Sequence, residues 1–136
     1  MAVFTISIES NFRDLWRYNT IVMANVMRDS EQVEILKHLR EVAPIGAELS
    51  APPEDYDDNR KIKLQSVDAD ALTLYIYIIP HTLPVEQEVS AAKPFELDVK
   101  VKHGGRIIYT HRYMINQWSG ENISIAVSAP QEQQTN

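Results

Sequence analysis

FELDVKVKHGGRIIYTHRYMI, residues 95–115, decides the fold. Phe95, Leu97, Val99 and Val101 alternate with Glu96, Asp98, Lys100 and Lys102. A period of two marks a strand with one buried and one solvated face. His103-Gly104-Gly105 follows, with the chain's only Gly-Gly, and then a run from Arg106 to Ile115 rich in β-branched and aromatic residues. Two such runs around glycines make a β-hairpin. With a three-residue loop and Gly105 in the left-handed region, Val101 faces Ile107, Val99 faces Tyr109, Leu97 faces His111 and Phe95 faces Tyr113; Glu96 then meets Arg112. A two-residue Gly104-Gly105 loop shifts the pairing by one, sets Leu97 against Arg112 and mixes the faces, so the three-residue loop is the expected one.

Outward from the hairpin, the same alternation recurs. Phe4, Ile6 and Ile8 alternate with Thr5, Ser7 and Glu9, and Ile123, Ile125 and Val127 alternate with Ser124, Ala126 and Ser128. Lys61 to Val67 is a strand through Ile62 and Leu64, and Asp68-Ala69-Asp70-Ala71 is a turn. Leu72, Leu74, Ile76 and Ile78 line one face of the next strand, while Thr73, Tyr75, Tyr77 and Ile79 line the other. A strand apolar on both faces is expected to be covered on both. Thr20-Ile21-Val22 favours a long bent strand over 15–27.

One segment reads differently. Asp29-Ser30-Glu31-Gln32 has the form of a helix start, Ile35, Leu39 and Val42 fall on one helical face, and Pro44 limits the run. A helix is predicted over about 30–41. The expectation is a mainly β fold: an antiparallel β-sandwich of about seven strands with one α-helix, as a single domain over 1–130 with a disordered polar tail at 131–136.

The chain has 136 residues, 13 Lys and Arg against 19 Asp and Glu, and a formal charge of −6. An acidic protein with scattered basic residues, beyond Arg60-Lys61-Lys63, predicts no nucleic-acid partner. With no cysteine, thiolate catalysis, thiolate metal sites and disulfides are excluded. No membrane insertion and a cytoplasmic location are expected, because residues 1–10 alternate and lack a signal peptide's apolar run.

Chemistry-bearing candidates are few. Asp55, Asp57 and Asp58, with Glu54, form an acidic loop, and Asp68 and Asp70 lie at the next turn. Oxygen-rich loops suit calcium, but a strand of about 20 Å separates the two groups, so no metal site is favoured. His111 lies on the hairpin's apolar face; catalysis needs an orienting partner and a nucleophile, and the sequence names neither. Nucleophile-elbow, P-loop and dinucleotide motifs are absent, and no cofactor is expected. Tyr75, Tyr77, Tyr109, His111 and Trp118 are the candidate binding residues, because amphipathic aromatics bury much area while keeping a polar end.

These features predict a non-catalytic protein-interaction or assembly domain, meeting a protein partner or itself. The alternatives are a sandwich that binds calcium, a lipid headgroup or carbohydrate through the 54–58 loop and Trp118, and an enzyme using His111. The Tyr75–Tyr77 face discriminates: unless the predicted helix covers it, it must meet a partner.

Overall fold

The computed structural model describes residues 2–84 and 92–130. Among the described residues eight strands follow one another: β1 (Ala2–Glu9), β2 (Tyr18–Arg28), β3 (Glu31–Arg40), β4 (Lys61–Ala69), β5 (Ala71–Pro80), β6 (Phe95–His103), β7 (Arg106–Ile115) and β8 (Glu121–Ser128). They form two antiparallel four-stranded sheets, sheet A in the order β4-β1-β6-β7 and sheet B in the order β3-β2-β5-β8. The mainly β sandwich is therefore as expected. The tail at 131–136 and the acidic residues Glu86 and Glu88 of the β5–β6 connection fall outside the described residues.

The core is built by the predicted alternation. Phe4, Ile6 and Ile8 of β1 and Leu97, Val99 and Val101 of β6 face Val22, Ala24 and Val26 of β2 and Leu74 and Ile76 of β5, all buried. Each large aliphatic side chain buried here contributes about 1.5–3 kcal/mol of transfer free energy. At one end Phe12 stacks on Phe95 with centroids 4.3 Å apart, and Tyr18 tilts against Phe95 at 5.2 Å.

The predicted helix over 30–41 is instead β3, which makes the eighth strand. The reason lies in Asp29 and Ser30. Both have positive φ, 52° and 65°, as the two central residues of a tight hairpin whose flanking pair is Arg28 and Glu31. A helix N-cap needs extended backbone at that position. The Asp29 amide donates to Asp70 Oδ2 at 2.9 Å, which holds the turn. The stripe at Ile35, Leu36 and Leu39 fits both periods locally; pairing along β2 decides between them, since β2 would otherwise present an open edge. The bent strand predicted over 15–27 is likewise shortened: Leu15–Arg17 form a 3-10 turn, and among the described residues this is the only helical element.

The central hairpin keeps the expected inner face from Phe95 to Val101, but the partners differ and Ile107, expected opposite Val101, turns outward. Val101 pairs with Tyr109, Val99 with His111, Leu97 with Tyr113 and Phe95 with Ile115, two positions beyond the expected register. Gly104 and Gly105 form a two-residue loop, with φ of 60° and 83°. A bulge beyond Lys102 and Ile107 then adds one residue to β7 and restores apolar against apolar. The bulge turns Ile108 onto the core, while Ile107 points out and is exposed.

Three junctions tie the sheets together. Asp70, the single residue between β4 and β5, donates its amide to Met27 O and accepts from the Ala129 amide. His81, 1% exposed, joins the 3-10 turn to the β3–β4 loop. Its Nε2 lies 2.7 Å from Trp16 O and must donate, so Nδ1 accepts from the Thr82 hydroxyl at 2.8 Å. That hydroxyl in turn accepts from the Leu49 amide. At the β7–β8 turn, Gly120 has φ 68° and a Cβ there would sit 1.9 Å from Ile78 O, so only glycine fits.

Candidate functional site

Sheet B carries two sets of side chains on β5. Leu72, Leu74, Ile76 and Ile78 point into the core. Tyr75 and Tyr77 point to the opposite side and are half-buried. Cross-strand pairing brings Met23 opposite Tyr75 and Ile21 opposite Tyr77. On the far side of β2, Ile35 pairs with Asn25 and Leu39 with Ile21. Ile35 is 52% and Leu39 61% exposed. The row Leu39–Ile21–Tyr77 thus crosses three strands, and a second row runs Lys37–Met23–Tyr75. β8 closes the face with Asn122 opposite Tyr77 and Ser124 opposite Tyr75.

With β3 in the sheet rather than over it, no described element lies across this face. Tyr75 and Tyr77 are the two predicted binding residues that the fold brings together. Ile21, Met23, Ile35 and Leu39 join them and were not singled out from the sequence. The signal for Ile35 and Leu39 was present but was assigned to a helical stripe. Read with period two, both fall on the face opposite Leu36.

The other candidates do not converge on this surface. Tyr109 and Tyr113 lie on the inner side of β7, where their hydroxyls hydrogen-bond to each other. Burial first, and then that hydrogen bond, raise the Tyr113 phenol well above its ordinary value. His111, between them in sequence, is exposed and meets the Tyr113 ring edge-on at 4.3 Å. Among the described residues no hydrogen bond or ion pair joins His111 to a carboxylate. The nearby carboxylate Asp98 binds Arg112 instead, at 2.8 Å from its Nε. Trp118 sits in the β7–β8 turn, where Asn116 Oδ1 accepts from the Trp118 and Ser119 amides. Its indole nitrogen is buried and has no hydrogen-bond partner among the described residues.

The acidic residues act locally. Asp58 pairs with Arg60 at 2.9 Å, and the hydrogen bond from Arg60 holds its carboxyl below the usual range. Arg40 lies 4.5 Å above the Tyr56 ring and donates to Asn59 O. Asp55 and Asp57 are exposed beside them. At the other end of β4, the Asp68 carbonyl accepts from Arg28 and the Asp70 side chain holds the β2–β3 turn. Among the described residues no three His, Asp or Glu side chains come together as metal ligands, and no helix is long and apolar enough to cross a membrane.

No protein-family model matches the sequence, and no curated protein does either. Among solved structures, the crystal structure of a DUF4425 family protein from Bacteroides ovatus ATCC 8483 is similar, with 10% identity over 94% of each chain and a TM-score of 0.47.

Proposed function

We propose that this chain is a non-catalytic interaction domain that associates with a second copy of itself through the outer face of sheet B. One observation carries the reading: Ile21, Met23, Ile35, Leu39, Tyr75 and Tyr77 share a sheet face across which no described strand or helix lies. A contiguous apolar face of this kind is uncommon on a monomer and marks an interaction surface. Tyrosine contributes area, an ordered ring and a polar end to such contacts.

Charge supports a second copy as the occupant. The chain carries −6, so two copies repel over most approaches. Along the two rows named above, only Lys37 is formally charged. This is where like-charged copies meet with the least repulsion, and apolar burial outweighs what remains.

The test is the molar mass by light scattering across a concentration series, for the native chain and for Leu39→Glu/Tyr75→Glu. The native chain should rise toward dimer mass, and the double variant should stay monomeric while still unfolding in one cooperative transition, with a melting temperature that no longer depends on concentration. A native chain that stays monomeric at every concentration overturns self-association. Capture of a different protein, lost in the double variant, would assign the face to that partner instead.

A further inference from the structure

The outer face of sheet A has the opposite character, and its register points to a second site. Three cross-strand rows run over it. The first is Lys61–Glu9–Asp98–Arg112, the second Lys63–Ser7–Lys100–Thr110, and the third Gln65–Thr5–Lys102. The first row is balanced, since it holds two cations and two carboxylates, with Arg112 bound to Asp98 and within 3.5 Å of Glu96. The second and third rows hold three lysines and no carboxylate. Among the described residues none of Lys63, Lys100 and Lys102 has an ion-pair or hydrogen-bond partner. Around them the twisted sheet forms a shallow groove of about 520 Å³, lined also by Thr5 and Ser7 and, toward the balanced first row, by Glu9, Asp98, Arg112 and His111. That volume is in the range of small-molecule sites.

Burial cannot be the reason for this arrangement, because Lys63 and Lys100 are exposed. Like charges on neighbouring positions of a sheet are destabilising. In a chain with six excess acids, three uncompensated lysines around two hydroxyls are a local inversion of charge. Lys63 and Lys100 flank Ser7 from either side at two strand spacings, about 10 Å between backbones. Their four-carbon arms can close that gap onto one anion. The Ser7 and Thr5 hydroxyls lie between the lysines and can donate to the same oxygens. No Phe, Tyr or Trp lines the groove and its one ring is the His111 imidazole, so recognition rests first on the charged group.

We propose that this groove binds the phosphoryl or sulfuryl group of a small, multiply charged anion, held by Lys63, Lys100 and Lys102 with Ser7 and Thr5. The site is separate from the self-association face and does not depend on it.

The experiment is isothermal titration of the full chain with inorganic tripolyphosphate at low salt, compared with Lys63→Gln/Lys100→Gln/Lys102→Gln. Lys37→Gln, on the other sheet, is the control. The native chain and the control should bind alike, and the triple variant should bind at least about tenfold more weakly. Affinity should fall steeply with added salt. Because all three changes remove repulsion from an exposed face, the triple variant should keep its melting temperature; Lys100→Gln alone repeats the test with one side chain. Amide shifts at Ser7 and Thr5 on titration locate the anion. Vesicles of phosphatidylcholine with and without a phosphoinositide separate a lipid headgroup from a soluble ester. No tripolyphosphate or phosphoinositide binding, equal weakening in Lys37→Gln, or shifts that avoid Ser7 and Thr5 would overturn the proposal. Single-stranded RNA bound through the same lysines without tripolyphosphate binding would overturn it in favour of a nucleic acid.

Discussion

The two outer faces of this sandwich differ more than its two inner faces. Inward, both sheets present Ile, Leu and Val in alternation, with Phe4 and Phe95 added on sheet A and Ala24 on sheet B, and both inner faces are apolar. Outward, sheet A shows Thr5, Ser7, Lys63, Lys100 and Lys102, while sheet B shows Ile21, Met23, Leu39, Tyr75 and Tyr77. Folding needs only one buried face per sheet. The inner pattern therefore reports stability, and the outer pattern is free to report what each sheet meets. A solvated face of mixed polar residues would be the ordinary outcome on both sides. Here one face is apolar and nearly uncharged, and the other concentrates unpaired cations.

That division can be broken first at the inner side. Gly120→Ala puts a Cβ into the Ile78 carbonyl at a backbone angle that L residues avoid. A loss of about 3 kcal/mol or more is expected, seen as a large drop in the urea midpoint. Leu74→Ala, fully buried on β5, should cost about 2–5 kcal/mol. One residue along the same strand, Tyr75→Ala should cost less than about 1 kcal/mol in the monomer, because it removes a half-buried side chain from the outer face. If Tyr75→Ala destabilises the monomer as much as Leu74→Ala, the two faces of β5 are not distinct and the interaction reading loses its basis.

How far these faces could be read in advance depends on how local their determinants are. Strands β1, β5, β6, β7 and β8 each carry their own period of two, and a sandwich follows from counting them. Segment 31–40 does not, because Ile35, Leu36 and Leu39 satisfy helical and extended spacing together. Only the positive φ at Asp29 and Ser30 and the need to pair β2 separate the two, and positive φ at non-glycine residues has a weak sequence signal. In the central hairpin, the alternation correctly assigned every inner residue from Phe95 to Val101. It could not reveal the two-residue loop or the extra residue at the β7 bulge, which together move each partner by two and turn Ile107 outward while Tyr109 and Tyr113 keep their face. The tyrosine face was legible because Tyr75 and Tyr77 lie on one strand. The lysine groove was not. Lys61 and Lys63 are visible as neighbours, but Lys100 and Lys102 reach them only because β1 pairs with β4 on one side and β6 on the other. Composition made the basic residues look scattered, and net charge argued against an anion. Neither quantity knows which strands are adjacent.

A smaller effect tests the open corner where the inner side of sheet A meets solvent. Tyr113 has its phenol raised above the ordinary 10.0, by burial first and by the Tyr109 hydroxyl second. A raised folded value means that the neutral phenol is favoured in the native state. The resulting stability is whole below pH 10, the unfolded value, and is lost as pH climbs through the folded value. Stability should thus decline above pH 10 in the native chain, and Tyr113→Phe should flatten part of that decline. At neutral pH the same change removes one hydrogen bond on a half-buried side chain, at about 1 kcal/mol or less. Spectrophotometric titration of the phenols against pH, with urea midpoints at pH 7 and above 10, measures both. If Tyr113→Phe leaves the alkaline slope unaltered, the pair is solvated and that corner belongs to the outside of the molecule. If it flattens the slope, His111 sits at the rim of a corner that excludes water from its tyrosines. The inner face then extends along β7 to Tyr109, and the contrast between inner and outer faces runs the length of the sheet.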